Sequence, residues 1–193
     1  MKRNAKDSMS VFISLILRHK PEAAGIRLDQ YGWADVKELI EGVNRTGRKL
    51  DLAALEEIVR TDAKGRYSFD ESRTKIRANQ GHSVKVNVEL EELSPPDLLY
   101  HGTATRFLGS ILNKREGLKS MGRLYVHLSA DRCTAEKVGA RHGIPSVLAV
   151  NTKQMKEDGY VFLRSENGVW LTKNVPCRYL QIIAACDKIE SDA

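Results

Sequence analysis

Four short strings combine residues that can bind anions or transfer protons with glycine or proline residues that favour turns. They are residues 17–21 (LRHKP), 77–83 (RANQGHS), 100–105 (YHGTAT) and 122–129 (GRLYVHLS). Arginine can form paired hydrogen bonds with a phosphate. Histidine can accept or release a proton near neutral pH. The four strings are therefore the first candidates for the chemistry of this protein.

Each candidate also has an ordinary structural explanation. Arg18 and His19 lie near the predicted end of a helix, where a positive charge complements the helix dipole. His101 and His127 could each be a buried histidine of a predicted strand. Arg66 could be an exposed residue of another strand. Taken singly, these positions leave both explanations open.

Several common sites are not encoded. The sequence has no GxGxxG and no GxxxxGK[ST] motif, so it predicts neither a Rossmann nor a P-loop nucleotide site. The histidines lack metal-type spacing, and Cys133, Cys177 and Cys186 form no CxxC pair. We therefore predict no metal site. The odd number of cysteines argues against a disulfide framework.

The composition is that of a globular protein. The chain has 193 residues, of which 41% are hydrophobic and 29% charged, which fits one large or two small domains. The net charge of +6 favours an anionic partner, although a solvated basic surface would explain it equally well. Residues 11–17 form an apolar run too short to span a membrane. Because a signal-peptide pattern is also missing, we expect a cytoplasmic protein without membrane partners.

The first half of the sequence predicts three helices followed by a β-hairpin. Helical periodicity runs from Ser8 to about His19, over residues 34–43, and again after the capping residue Asp51. Residues 66–70 and 74–78 alternate as two paired strands. This order is typical of a winged helix, a basic nucleic-acid-binding architecture. Residues 89–96 (ELEELSPP) are acidic and end in two prolines, which indicates a linker.

The second half predicts a strand-dominated α+β domain. Helical patterns cover residues 104–113 and 135–141, and Ser165–Gly168 form a hairpin turn. The predicted strands are residues 98–101, 124–128, 146–150, 160–163, 169–172 and 179–184. We place the two domains at residues 1–92 and 97–193.

The four strings, taken together and in this order, resemble the RNA 2′-phosphotransferase family over about residues 10–186. These NAD-dependent enzymes remove a 2′-phosphate from RNA. The matching strings are SLILRHKPEAAGIRLDQYGWADV, KGRYSF, IRANQGHSV, YHGTATRFLGSI, GRLYVHLS and ENGVWLTKNVP. The resemblance implies an α+β protein with a winged-helix-like lobe for RNA. It also implies an ADP-ribosyltransferase-like lobe whose split β-scaffold binds NAD.

The resemblance also implies a catalytic Arg-His-Arg-Arg tetrad. Its members correspond to Arg18, His19, Arg66 and Arg123. Arg66 is preferred to the nearby arginines at 60, 73 and 77 because KGRYSF matches as a unit. Arg123 is preferred to Arg132 because it directly precedes LYVHLS.

Further residues are implied for the two substrates. The NAD-binding residues would be His101, Gly102, Thr103, His127 and Ser129. The RNA-binding residues would be Arg77, Gln80, His82 and Ser83. Many related transferases carry a catalytic glutamate where this chain has the apolar residues 169–171. That difference is expected for a phosphate nucleophile, which is already ionised at neutral pH.

The implied reaction has two steps and needs NAD but no metal. The RNA 2′-phosphate displaces nicotinamide from NAD, giving RNA-2′-phospho-ADP-ribose. The ribose O2″ then attacks phosphorus, giving ADP-ribose 1″,2″-cyclic phosphate and RNA with a 2′-OH. The expected partner is 2′-phosphorylated RNA, for example a spliced tRNA, and the expected oligomeric state is a monomer. Two alternatives remain: ADP-ribosylation of nucleic-acid terminal phosphates, and nucleic-acid binding without catalysis.

Overall fold

The computed structural model describes residues 5–113 and 115–183, which fall into two compact units. The first unit holds the chain up to Leu90 together with Gly122–Leu124 and Ser165–Asn167. The second unit holds Glu91–Met121, Tyr125–Arg164 and the described residues from Gly168 onward. Two short segments from the second half of the sequence therefore fold with the first half.

Three helices in the first unit confirm the helical periodicity. They are α1 (Ala5–Arg18), α2 (Val36–Arg45) and α3 (Leu52–Arg60). The carboxylates of Asp35 and Asp51 cap α2 and α3 by accepting from backbone N–H groups at 3.0 and 2.8 Å. Helix α1 begins before Ser8, so Ser8 is not its cap. Helix α2 begins after residue 34 because a strand precedes it.

A three-stranded antiparallel sheet completes the first unit. The strands are β1 (Trp33–Asp35), β2 (Tyr67–Phe69) and β3 (Lys75–Ala78), in the order β1-β3-β2. Strands β2 and β3 form the predicted hairpin. Strand β1 was not predicted, because its three residues are too few to show an alternating pattern. The core between the helices and the sheet contains Ile13, Ile16, Leu17, Leu39, Leu55 and Ile76.

In its described residues, the second unit contains nine strands, most of them short. They are β4 (Glu91–Glu92), β5 (Leu98–Ala104), β6 (Leu118–Lys119), β7 (Val126–Leu128), β8 (Pro145–Asn151), β9 (Leu163–Arg164), β10 (Trp170–Thr172), β11 (Asn174–Val175) and β12 (Leu180–Ile183). Their orders are β12-β8-β5, β4-β9-β10-β7 and β11-β6. An isolated antiparallel bridge between Tyr100 and Ser129 joins β5 to the end of β7. The α+β class is thus confirmed.

Several predictions for this half need correction. Helix α4 (Arg132–Gly139) starts three residues earlier than predicted, and α5 (Thr152–Glu157) was not predicted. The α-helix predicted over residues 104–113 is not present. Ala104 is the last residue of β5, and the residues after it form a short 3₁₀ turn and a short π-helical turn. The predicted linker contains β4, which pairs with β9. Ala184, the predicted end of the last strand, lies outside the described residues.

Two glycines bring α4 against β5. A Cβ atom on Gly102 would lie 1.6 Å from the carbonyl oxygen of Ala135. A Cβ atom on Gly139 would lie 2.6 Å from the carbonyl oxygen of Thr103. Helix and strand backbones are therefore closer here than any side chain would allow.

The cysteines are in different states. Cys133 is disulfide-bonded and Cys177 is a free thiol, while Cys186 lies outside the described residues. One bonded cysteine is compatible with the expectation that the chain has no disulfide framework. Across residues 5–113 and 115–183, the structure contains no group of three or more His, Cys, Asp or Glu side chains arranged to hold a metal ion. In the same ranges, no helix is long and apolar enough to cross a membrane.

Candidate active site

Arg18 is a buried cation at the end of α1. The residue is 9% exposed, and Gly81, with a φ of +89°, lies against its guanidinium group. Among the residues that the structure describes, Nε and Nη2 of Arg18 have no hydrogen-bond partner. Burial, together with the charges of Arg66 and Arg123, lowers the pKa of Arg18 to about 10. Buried donors without partners are costly, so this position favours an anionic ligand.

His19 follows directly and is held by Ser83. The distance between His19 Nδ1 and Ser83 Oγ is 3.0 Å. Burial lowers the pKa of His19, and the positive charges of Arg123 and Arg18 lower it further. The imidazole is therefore neutral at pH 7 and able to accept a proton.

Arg66 precedes β2, where its guanidinium group pairs with the carboxylate of Asp62. Burial opposes ionisation of Asp62, but hydrogen bonds from Arg66 outweigh it and lower the pKa of Asp62. The side chain of Asn79 supports the same turn by donating to the Gly65 carbonyl oxygen at 2.8 Å. Asp62 was not among the residues predicted from the sequence, although an acidic residue four positions before Arg66 was a readable signal.

Arg123 belongs to the first unit, where its neighbour Leu124 makes a backbone hydrogen bond. The N–H of Leu124 donates to the carbonyl oxygen of His82 at 3.0 Å. Burial lowers the pKa of Arg123. Its charge acts on both Arg18 and His19, so the four predicted tetrad residues share one electrostatic environment. Arg132, the alternative fourth member, lies at the start of α4 in the second unit.

Of the residues assigned to RNA, Arg77 lies on β3, and Gln80 and His82 follow that strand. Arg77 stacks over Trp33, with its Cζ 4.4 Å from the ring centroid, and pairs with Glu89 at 3.2 Å. Gln80 is half-buried. His82 is only 2% exposed, and burial together with the Arg18 charge lowers its pKa to about 4.

Ser83 is exposed and reaches His19, and its N–H donates to the Arg18 carbonyl oxygen at 2.9 Å. The loop carrying His82 and Ser83 therefore contacts the Arg18 and His19 region directly. Local sequence gave no sign of this contact.

The residues assigned to NAD occupy two adjacent strands of the second unit. His101, Gly102 and Thr103 lie on β5, His127 lies on β7, and Ser129 follows β7. Tyr100 and Ser129 exchange two backbone hydrogen bonds of 2.9 and 2.8 Å. His101 Nδ1 lies 3.0 Å from the His127 carbonyl oxygen, and burial lowers the pKa of His101. This contact orients the imidazole of His101, while burial, and not the contact, lowers its pKa.

Comparison with known proteins identifies the family. The model of the "RNA 2'-phosphotransferase, Tpt1 / KptA family" matches residues 4–174. The chain belongs to this family. The matched range contains every residue that the sequence analysis assigned to a site.

Proteins described as probable RNA 2′-phosphotransferases are close relatives. One from Flavobacterium johnsoniae is 49% identical over 181 residues, covering 94% of this chain and 98% of its own length. One from Fusobacterium nucleatum is 53% identical over 171 residues, covering 88% and 94%. One from Acaryochloris marina is 50% identical over 172 residues, covering 89% and 94%. These names describe transferases, so the predicted enzyme class is confirmed at the level of the RNA 2′-phosphotransferase family.

Proposed function

We propose that this protein transfers an internal 2′-phosphate of RNA to NAD-derived ADP-ribose. The products are RNA with a 2′-OH, nicotinamide and ADP-ribose 1″,2″-cyclic phosphate. The observation that carries the proposal is the grouping of Arg66 and Arg123 around the buried Arg18, which is followed by a neutral His19, in a member of this family. Three guanidinium groups suit a phosphate that gains negative charge during the reaction.

The first step breaks the bond between nicotinamide and C1″ of its ribose. An oxygen of the RNA 2′-phosphate forms the new bond to C1″, and nicotinamide leaves as a neutral molecule. The phosphate is already ionised, so this step needs no base to activate it. Arg18 contributes buried donors that a phosphate oxygen can satisfy.

The second step breaks the bond between phosphorus and the RNA 2′-oxygen. The ribose O2″ attacks phosphorus, gives up its proton, and closes the cyclic phosphate. The neutral His19 accepts that proton and returns it to the departing RNA oxygen. Arg18, Arg66 and Arg123 stabilise the charge that develops on the phosphate oxygens.

Each unit has features that support one of the proposed lobes. In the first unit, three helices and a β-hairpin occur in the order of a winged helix, with basic residues beside them. In the second unit, His101 and the β5–β7 bridge offer a fixed imidazole and polar strand residues for NAD. We therefore keep residues 1–92 as the proposed RNA-binding lobe. Residues 97–193 remain the proposed ADP-ribosyltransferase-like lobe, with NAD binding between the His101 and His127 strands.

The decisive experiment mixes the protein with NAD and an RNA carrying one internal 2′-phosphate. We expect nicotinamide release, ADP-ribose 1″,2″-cyclic phosphate and 2′-OH RNA, with the same rate in the presence of a chelator. An RNA with a 2′-OH at the same position is the control and should release no nicotinamide. Binding without nicotinamide release would indicate a non-catalytic module. A stable adduct on a terminal phosphate, without dephosphorylation, would indicate an ADP-ribosyltransferase.

A further inference from the structure

Asp62 is a nearly buried carboxylate that uses both of its oxygens on Arg66. Its side chain is 3% exposed. Oδ1 accepts from Nε and Nη2 of Arg66 at 2.9 and 2.7 Å. Oδ2 accepts from the backbone N–H of Arg66 at 2.5 Å. One carboxylate therefore fixes both the backbone and the side chain of Arg66.

A second contact ties Arg66 to the helix that carries Arg18. Nη2 of Arg66 donates to Ser10 Oγ at 3.3 Å, and Ser10 lies in α1. The hydroxyl of Tyr67 donates to the Ser10 carbonyl oxygen at 2.7 Å. The guanidinium group of Arg66 is thus oriented from two sides, by the turn before β2 and by α1.

We propose that Asp62 is a positioning residue that orients the Arg66 guanidinium group toward the substrate phosphate. This inference rests on the proposed function, in which Arg66 acts on that phosphate. Catalysis by preorganised charge depends on donors whose orientation is fixed before the reaction. A long arginine side chain has many rotamers, and the two-oxygen contact with Asp62 restricts them.

The chemistry of the contact explains why a carboxylate is needed. Each oxygen of Asp62 faces N–H donors: Oδ1 faces the guanidinium group and Oδ2 faces the backbone. An asparagine has one acceptor oxygen, so its NH2 group would face donors on one of the two sides. Asp62→Asn therefore retains the size of the side chain but loses the orientation of Arg66.

The test compares the two chemical steps in Asp62→Asn and in a matched control. We expect Asp62→Asn to slow the second step about 10- to 100-fold, to accumulate RNA-2′-phospho-ADP-ribose, and to leave the KM for NAD unchanged. The control is Glu57→Gln, which breaks an exposed ion pair with Arg60 in α3, and it should retain the wild-type rate. In an Arg66→Ala background, Asp62→Asn should cause no further slowing.

Two results would overturn the positioning role. One is a wild-type rate for the second step in Asp62→Asn. The other is equal slowing by Asp62→Asn with and without Arg66, since Asp62 would then act independently of that side chain. If Asp62→Asn fails to fold, Asp62→Glu retains the charge but displaces it by one methylene group. A wild-type second step in that variant would equally contradict the proposal.

A spectroscopic measurement separates this proposal from the proposed function. In the NMR spectrum of the full chain, the Arg66 Nε–H signal should be sharp and slow to exchange in the wild type. It should broaden and exchange faster in Asp62→Asn but not in Glu57→Gln. An unchanged signal in Asp62→Asn would refute the positioning role. If the wild-type protein released no nicotinamide from NAD with 2′-phosphorylated RNA, the proposed function would fail while this measurement still decided the role of Asp62.

Discussion

At the residue scale, Arg18 and Arg66 are the side chains whose removal separates the two steps. The first step needs a phosphate near C1″, whereas the second needs charge stabilisation on phosphorus. We expect Arg18→Ala and Arg66→Ala to slow the second step by about a hundred- to thousandfold, or about 3–4 kcal/mol, and the first step far less. RNA-2′-phospho-ADP-ribose should accumulate and migrate more slowly than the substrate on a gel.

The matched control for these variants is Arg73→Ala. Arg73 is an exposed arginine of the same unit that pairs with Glu56, and it should be dispensable. If nicotinamide release and RNA dephosphorylation fell in parallel, with no intermediate, the assignment of Arg18 and Arg66 to the second step would be wrong. Arg18 and Arg66 would then place the phosphate for the first attack.

The electrostatic environment of His19 can be measured directly. Burial, Arg123 and Arg18 lower its pKa below the usual value near 6.5, so His19 should become protonated only as the pH falls below that value. Following the imidazole signal by NMR as a function of pH checks this shift. Arg123→Gln removes one of the positive charges and should raise the pKa of His19. A wild-type pKa at or above 6.5 would contradict the predicted environment.

The sequence suggested which residues form the candidate site but not which atoms surround them. Arg18, His19, Arg66 and Arg123 were assigned from short strings, because a family resemblance depends on residue type and order. Asp62 could have been found from its spacing to Arg66, but Ser83 lies 64 residues from His19, so this contact depends on which atoms meet after folding. The spacing of residues in the chain therefore could not show that Ser83 holds His19.

At the element scale, the contact between α4 and β5 makes the strongest stability prediction. Gly102→Ala would push a methyl group into the backbone of α4, so we expect a loss of about 1–3 kcal/mol in the free energy of unfolding. The control is Gly109→Ala, because no described atom outside its immediate chain neighbours lies within 4 Å of a Cβ there. Denaturant unfolding of both variants checks the difference. Equal stabilities would show that helix and strand can separate without cost.

Element prediction succeeded where a pattern was long enough to repeat. Helices α2 and α3 have capping aspartates and several turns of apolar periodicity, which the sequence displays. Strands of two or three residues, such as β1 and β6, are shorter than one full alternation. The apolar residues at 107–112 suggested an α-helix, but the backbone there forms a 3₁₀ turn, which is tighter than an α-helix, and a π-helical turn, which is wider.

At the scale of the whole molecule, the two compact units do not coincide with the two halves of the sequence. Arg123 comes from the second half of the sequence but belongs to the first unit. We expect a fragment of residues 97–193 to remove no 2′-phosphate from RNA, because it lacks Arg18, His19 and Arg66. The measurement is RNA dephosphorylation by the fragment beside the full chain. Dephosphorylation by the fragment at the full rate would refute the dependence on both parts.

The buried guanidinium group of Arg18 links the stability of the protein to its ligand. A charge that is 9% exposed, and whose Nε and Nη2 have no hydrogen-bond partner among the described residues, opposes folding. Arg18→Met should therefore raise the free energy of unfolding by about 0.5–2 kcal/mol while slowing the second step as strongly as Arg18→Ala does. Thermal unfolding of both proteins checks this, and a less stable Arg18→Met would contradict it.

The same feature gives the protein a thermal response to phosphate groups. An anion that binds only the folded state raises the melting temperature with its concentration, and at 100 times its Kd it adds about 2.7 kcal/mol. A short RNA with a 2′-phosphate should thus protect the wild-type protein against heat more than the same RNA with a 2′-OH. In Arg18→Met the difference between the two RNAs should become smaller, because Arg66 and Arg123 remain to bind the phosphate. The Arg18 guanidinium group lowers the stability of the ligand-free protein, and the same group would make the melting temperature a measure of substrate recognition.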